Sequence, residues 1–126
     1  MQNMFSDVTS QLLTKALDTA SMRQRVISNN LANINTPGFK RSYVTFEEEL
    51  RKTLETNNRV NLNSIQKIEP QINKDNSTSM RLDGNNVDMD QEMVDLAMNS
   101  INYNTAVQQL NKKLGMLRYV ISEGRR

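Results

Sequence analysis

Apolar residues keep helical time over two long stretches, one at each end of the chain, and lose it between them. From about Met4 to Ile34, the residues Leu13, Leu17, Ala20, Ile27, Leu31 and Ile34 fall at alternating four- and three-residue spacings, with Gln24 in the one polar step. Phe5, Val8, Leu12 and Ala16 widen the stripe. This pattern predicts an amphipathic helix, roughly 45 Å long at ~1.5 Å per residue, with Ser6 or Asn3 as its N-cap. The second stretch runs from Met89 to about Ser122 with no proline and one glycine, Gly115, read as a close helix approach or a weak point. Its stripe is Val94, Ala97, Ile101, Val107, Leu110, Leu114, Leu117 and Ile121, near-heptad with one interruption at Asn104, and Lys112, Lys113 and Arg118 fall outside it. A buried Asn104 or Gln24 would lower stability and fix register between helices. The methionines at 89, 93, 98 and 116 read as adaptable packing.

Between the two stretches the pattern is shorter or absent. Thr45 with Glu48 reads as a capping box opening a short helix to about Glu55, in which Phe46, Leu50 and Leu54 share a face. Glu47 with Arg51 and Glu48 with Lys52 are favourably ordered pairs on that helix. From Thr56 to Asn86 the chain is strongly polar, with asparagines at 57, 58, 61, 63, 73, 76, 85 and 86 and a proline at 70. An irregular polar insert is expected there, and the alternation at Val60–Leu62 and Ser79–Leu82 makes these the candidates for a short β-hairpin. Asp88, with Gln91 three positions on and Asp90 and Glu92 in the first turn, caps the second long helix. The same acids do not form a calcium loop, because the glycine follows Asp83 directly and no twelve-residue ligand series fits.

The first helix ends on Ser28-Asn29-Asn30-Leu31-Ala32-Asn33-Ile34-Asn35-Thr36-Pro37-Gly38-Phe39-Lys40-Arg41. Pro37 restricts Thr36 to extended backbone, and Gly38 supplies the positive φ that the third position of a type II turn needs. Asparagine amides on the last turns can bind carbonyls that have lost their helical partners. An ordinary helix end followed by a turn explains this local pattern as well as a partner-binding seam does.

Composition narrows the chemistry. At 126 residues with 37% hydrophobic and 5% aromatic residues, the core of a single domain is thin, and an oligomer is the natural source of further burial. The absence of cysteine and histidine removes disulfides, thiol catalysis, the commonest metal ligands and the usual neutral-pH base. No enzyme, cofactor, metal or small-molecule substrate is expected. With 16 basic and 14 acidic residues interspersed, net charge +2 does not make a basic face, so no nucleic acid is expected, and a small helical nucleic-acid-binding module is the disfavoured alternative. Met1–Gln11 lacks both a basic segment and an apolar run of about seven residues, so neither a cleaved signal peptide nor a membrane span is expected.

The stretch Asn30, Ala32, Asn33, Thr36, Pro37, Gly38, Phe39 and Lys40 resembles the N-terminal signature of the flagellar rod and hook proteins, with eight matched positions in eleven residues. Asp83-Gly84-Asn85-Asn86-Val87-Asp88-Met89-Asp90, then Glu92-Met93 and Tyr103-Asn104-Thr105-Ala106, resembles the proximal rod members of that family. The resemblance implies a mainly α fold in which long N- and C-terminal helices pack as an antiparallel, coiled-coil-like hairpin, with a short middle helix and the polar insert. Residues 1–34 would be the N-terminal axial helix, 35–88 the turn, short helix and insert, and 89–126 the C-terminal axial helix, all in one domain. It further implies a structural subunit of the proximal rod of the basal body, polymerising through its terminal helices into a hollow, torque-transmitting shaft. Its partners would be copies of itself or related subunits, other flagellar rod proteins, the ring-rod adaptor and the membrane-supramembrane ring. Location in the periplasmic rod, reached by flagellar type III export, is implied likewise. The insert of about forty residues is too small for the β-rich domains of hook and distal-rod relatives, which leaves another proximal rod protein of the same family as the alternative.

Overall fold

A computed structural model describes residues 7–56 and 61–124. In chain order the elements are α1 (Val8–Ala32), β1 (Ser42–Thr45), α2 (Glu47–Thr56), α3 (Leu62–Gln66), β2 (Gln71–Lys74) and α4 (Met89–Glu123). α1 is capped by Asp7, whose side chain accepts from Ser10 N at 3.2 Å; the expected caps Ser6 and Asn3, like Met4 and Phe5 of the stripe, lie outside the described residues. α4 starts as its sequence predicts, with Asp88 Oδ1 accepting from Asp90 N at 3.0 Å and Gln91 N at 3.3 Å. Its 35 residues make it roughly 50 Å long at ~1.5 Å per residue.

The two long helices pack antiparallel. Polar contacts advance along α1 as they retreat along α4, from the Lys113–Asp7 ion pair, through Asn99 Nδ2 donating to Ala20 O at 2.8 Å, to Asn30 Nδ2 donating to Glu92 Oε2 at 3.2 Å. The α4 residues facing α1 are spaced by sevens: Glu92, Asn99 and Ala106 are buried, and Lys113 continues the line. Seven residues is close to two turns, so this spacing keeps one stripe on the partner helix. Leu96 is half-buried beside it, as are Val107, Leu110, Leu114 and Leu117 further on.

This is not the line that the apolar spacing indicates for the first half of α4. Val94, Ala97 and Ile101 are exposed, on the side of α4 away from α1, and Ile121 is exposed near the far end. Two residues on a helix is a rotation of about 200°, so Val94 lies nearly opposite the buried Glu92. On α1, Ala20 and Ile27 are buried and Leu13, Leu17, Leu31 and Ile34 are half-buried, while Gln24 and Asn104 are exposed. The polar α4 residues buried in the seam are Glu92 and Asn99. Among the described residues no atom beyond the adjoining backbone of α4 itself lies within 4 Å of where a Gly115 Cβ would stand, so that glycine marks no close helix approach among them.

The middle of the chain packs on the other side of α1. β1 and β2 form an antiparallel ribbon in the register Ser42↔Lys74, Tyr43↔Asn73, Val44↔Ile72 and Thr45↔Gln71. Val44, Phe46, Ile65 and Ile68 are buried, with Thr19 and Val26 of α1 buried on the side that carries them. Full burial of each large apolar side chain contributes about 1.5–3 kcal/mol, so this cluster is the second centre of the fold. Thr45 belongs to the strand and accepts from Asn73 Nδ2 at 2.9 Å, so it does not open α2 as a capping box would require. The ribbon also lies elsewhere than the alternation suggests. Leu62 starts α3, with Asn61 as its cap, and residues 79–82 form a bend and turn; Val60 lies outside the described residues.

Carboxylate pairs fasten the periphery, and they carry a pH dependence. Lys113 holds Asp7 below the usual carboxylate range by hydrogen bonding, and Arg23 does the same to Glu47, to which its Nη1 donates at 2.6 Å. A folded-state pKa below the unfolded one stabilises the fold above the unfolded value, and the contribution is lost as pH falls through the folded value. Urea midpoints are therefore expected to be flat from pH 7 to about 5 and to fall below about pH 4. Glu47→Gln should lower the unfolding free energy at pH 7 by under ~1 kcal/mol, the scale of a solvated ion pair, and flatten the acid limb. An unchanged acid limb would exclude Glu47 as a contributor.

Candidate functional site

The densest polar structure in the molecule lies where α1 ends, and it is built from two segments some fifty residues apart. Phe39 N donates to Thr36 O at 3.2 Å and Gly38 has φ +73°, which makes Thr36-Pro37-Gly38-Phe39 the tight turn that its sequence predicts. The second segment docks on this turn. Gly38 N donates to Asp83 O at 2.7 Å, Asn86 N to Phe39 O at 3.4 Å, and Lys40 Nζ to Gly84 O at 2.8 Å. Gly84 is also left-handed, at φ +79°, and a Cβ there would stand 3.8 Å from Gly38 Cα, so the two glycines lie back to back.

Asn85 is fully buried and closes the end of α1. Its Nδ2 donates to Asn33 O at 2.8 Å and to Ile34 O and Thr36 O at 3.0 Å, and its Oδ1 accepts from Val87 N at 2.8 Å. A helix end leaves carbonyls without partners, and here one side chain from the distant segment takes three of the turn's carbonyls. Arg81 Nη1 adds a second donor to Ile34 O at 2.7 Å. Asn86 works in the other direction: its Oδ1 accepts from Arg41 N at 2.7 Å and its Nδ2 donates to Asp75 O at 2.7 Å.

One turn earlier on α1, Asn30 is also fully buried. Its Nδ2 donates to Ser42 O at 2.8 Å and its Oδ1 accepts from Ser42 N at 2.9 Å, so the amide pairs with β1 as a neighbouring strand would. The same Nδ2 reaches Glu92 Oε2, and Glu92 Oε1 accepts from Arg41 Nε at 2.7 Å. Glu92 has no exposed surface, whereas Arg41 keeps 23% of its side chain in solvent and lies within 4 Å of Asp75 and Asp95 as well. Burial works against the charge on Arg41, but its hydrogen bond and attraction to Glu92, with Asp75 and Asp95, outweigh that and raise its pKa. Arg41 therefore stays cationic, and its guanidinium also stands over the Tyr43 ring at 5.8 Å.

The residues of the opening signature divide in this setting. Asn30, Asn33, Thr36, Gly38, Phe39 and Lys40 make the contacts described, with Asn33 Nδ2 donating to Asn29 O at 2.8 Å and Thr36 Oγ1 to Asn33 Oδ1 at 3.2 Å, while Ala32 and Pro37 are exposed. Asn85, Asn86, Arg41 and Glu92 complete the junction; the sequence shows all four within its two signature stretches but not that they meet there. Glu92 reads as one more first-turn acid beside Asp90, and its burial depends on Arg41, 51 positions away.

The polar groups of the junction are bonded to one another and hold its shape. No cluster of acids able to hold a metal occurs among the described residues, and the buried carboxylate is occupied by Arg41 and Asn30. What the fold leaves open is the outer side of α4, where Val94, Met98 and Ile101 form one exposed apolar stripe and Met116 and Tyr119 another on the same side. Beside the first stripe a groove of about 260 Å³ runs between α1, β1 and α4, over Val26, Ile27, Val44, Met98 and Asn99. Asn99 Oδ1 is buried with no hydrogen-bond partner among the described residues.

A helix hairpin stiffened by a closed polar junction, with an exposed apolar stripe along the outer side of its longest helix, has the build of an assembly subunit. Residues 11–40 match the family described as "Flagella basal body rod protein". Over 123 residues, 93% of this chain and 95% of the relative, it is 37% identical to the flagellar basal body rod protein FlgB of Bacillus subtilis (strain 168). It is 38% identical to FlgB of Borrelia hermsii over 112 residues, covering 77% and 83% of the two chains, and 27% identical to FlgB of Escherichia coli (strain K12), covering 94% and 96%. The chain belongs to the FlgB family of flagellar basal body rod proteins, structural components of the rod. Its location is the flagellar basal body, where it assembles with other basal-body components. Among the described residues no helix is long and apolar enough to cross a membrane.

Removing the two partners of the buried pair should have unequal effects. Arg41→Ala leaves Glu92 buried with one amide donor and is expected to lower unfolding free energy by about 3–5 kcal/mol. Glu92→Gln removes the buried charge but keeps only one of the two acceptor oxygens, setting an amide donor against the other neighbour's N–H, while Arg41 retains Asp75 and Asp95, so its effect should be smaller, about 1–3 kcal/mol. Equal losses in urea denaturation would show that burial of the Glu92 charge is not the controlling term.

Proposed function

We propose that this chain is a proximal rod subunit that polymerises through its terminal helices into a hollow shaft transmitting torque. The observation that carries this reading is the exposed apolar side of α4, because an apolar stripe left over after the intramolecular seam is formed needs a neighbouring surface. A head-to-tail contact of that kind repeats without closing and builds a helical wall. In this reading 1–34 and 89–126 are the axial helices of one domain. Leu13, Leu17, Ala20, Ile27, Leu31 and Ile34 with Val107, Leu110, Leu114 and Leu117 serve the hairpin, and Val94, Ala97, Ile101 and Ile121 face neighbours. The signature from Asn30 to Lys40 sets the angle at which the middle of the chain leaves α1.

The partners are other rod proteins, the ring-rod adaptor and the membrane-supramembrane ring, and the chain reaches the periplasmic rod through the flagellar type III apparatus. Membership of the rod family supports this reading, as does a middle segment too short for a separate β-rich domain.

Ile101→Asp tests the outer face of α4 directly. Ile101 is 65% exposed, so the substitution should leave the unfolding free energy of the isolated chain, from urea denaturation, within about 0.5 kcal/mol of the parent. In cells it should be synthesised normally and yield no rods and no swimming, because every subunit contact would bury an unpaired carboxylate. Intact basal bodies containing the variant would remove this face from the assembly.

A further inference from the structure

Two large apolar side chains stand further out than any others among the described residues. Met80 and Leu82 have relative exposures of 106% and 109%, the values of side chains that touch nothing. The backbone that presents them is nonetheless tied down. Ser79 Oγ donates to Asn85 O and accepts from Arg81 N at 2.9 Å, and Gly84 N donates to Arg81 O at 3.2 Å. Arg81, between the two, points inward, with Nη1 on Ile34 O at 2.7 Å and Nη2 on Asp83 Oδ2 at 3.0 Å. Asp83 O in turn accepts from Gly38 N, so the tip is anchored on the turn that ends α1. Single exposed apolar residues are ordinary, but two at the apex of an anchored tip are a pre-ordered knob, which loses little freedom on docking.

The chain also carries a groove that such a knob would fill. It lies on α1 and the ribbon, is lined by Met22, Arg25, Val26, Asn29, Ser42 and Ile72, and has a volume of about 260 Å³. Ile72 is 57% exposed at its edge. Charge distinguishes the two surfaces. The segment bearing the knob continues into Asp83, Asp88 and Asp90, and the latter two form no ion pair among the described residues. The groove is bordered by Arg25 and by Lys74, two residues beyond Ile72 on the same side of β2, and neither forms an ion pair among the described residues.

We propose that Met80 and Leu82 form a plug that seats in the Met22–Val26–Ile72 groove of a second copy of this chain. The plug lies beyond the end of α1 and the groove on its flank, so the contact joins two different patches and propagates instead of closing as a dimer. It rests on the reading of this chain as a self-assembling rod subunit and adds a contact outside the long-helix seam.

The absence of cysteine gives a clean background for disulfide trapping. Leu82→Cys and Ile72→Cys chains are purified and oxidised separately and together, with Glu55→Cys replacing Ile72→Cys as a control. A disulfide between the two chains is expected in the mixture, at least tenfold above the control, and adding Met80→Asp to the Leu82→Cys chain should abolish it without shifting the thermal melt. Absence of the mixed disulfide, or preferential pairing of Leu82→Cys with itself, overturns the proposal. So does trapping of Leu82→Cys in isolated basal bodies on a different protein alone. The two readings fail separately: loss of rods in Ile101→Asp without the 72–82 link fells only the plug, whereas the link in a chain absent from basal bodies fells only the rod placement.

Discussion

A carboxylate with no exposed surface has to be compensated inside the protein, and the way Glu92 is compensated ties both long helices to the first strand. One oxygen takes the guanidinium of Arg41, just past the Thr36–Phe39 turn, and the other takes the amide of Asn30, on α1. Asn30 also pairs with both backbone groups of Ser42, so α1, α4 and β1 meet at one charge. Hydrophobic burial is non-directional and tolerates sliding of one helix on another, whereas this junction has one geometry. The heptad line through Glu92, Asn99 and Ala106 inherits its register from it.

That register has a consequence for the surface. With Glu92 turned inward, Val94, Met98 and Ile101 are turned outward by the rotation of the helix. The chain gives up its most apolar stripe in the first half of α4 and seals a polar one in its place. In a monomer this would be poor use of a thin core. In a subunit of a rod it separates two tasks, with directional polar contacts holding the hairpin and apolar area left for neighbours.

The middle segment serves the same end. Asn85, Asn86, Asp83 and Gly84 hold the turn by its own carbonyls and amides, so the direction in which the chain leaves α1 is set by hydrogen bonds at both of its ends. The cluster of Val44, Phe46, Ile65 and Ile68 holds the ribbon against the other flank of α1. The 10-residue α2 extends from this region with no buried residue of its own.

Local information in the sequence was enough for the parts whose causes are local. Apolar spacing determined the two long helices, Asp88 with its following acids determined where α4 starts, and Pro37 with Gly38 determined the turn, because each depends on residues within a turn or two of one another. The block from Asp83 to Asp90 was visible as a motif without its task. Which side of α4 faces α1 was not legible, since Val94 and Ile101 outrank Glu92 and Asn99 on apolarity, and only pairing with Arg41 and with Ala20 O reverses that order. The ribbon of Ser42–Thr45 with Gln71–Lys74 was hidden for the same reason: its strands have four residues each and owe their pairing to contacts across 26 to 32 positions of chain. The sequence by itself determined the two long helices, the short helix after β1 and the turn that ends α1, but not α3, which reads as part of an irregular insert. Only the tertiary structure decided which face is inside, because a buried charge is stable only where a partner from elsewhere in the chain is held against it.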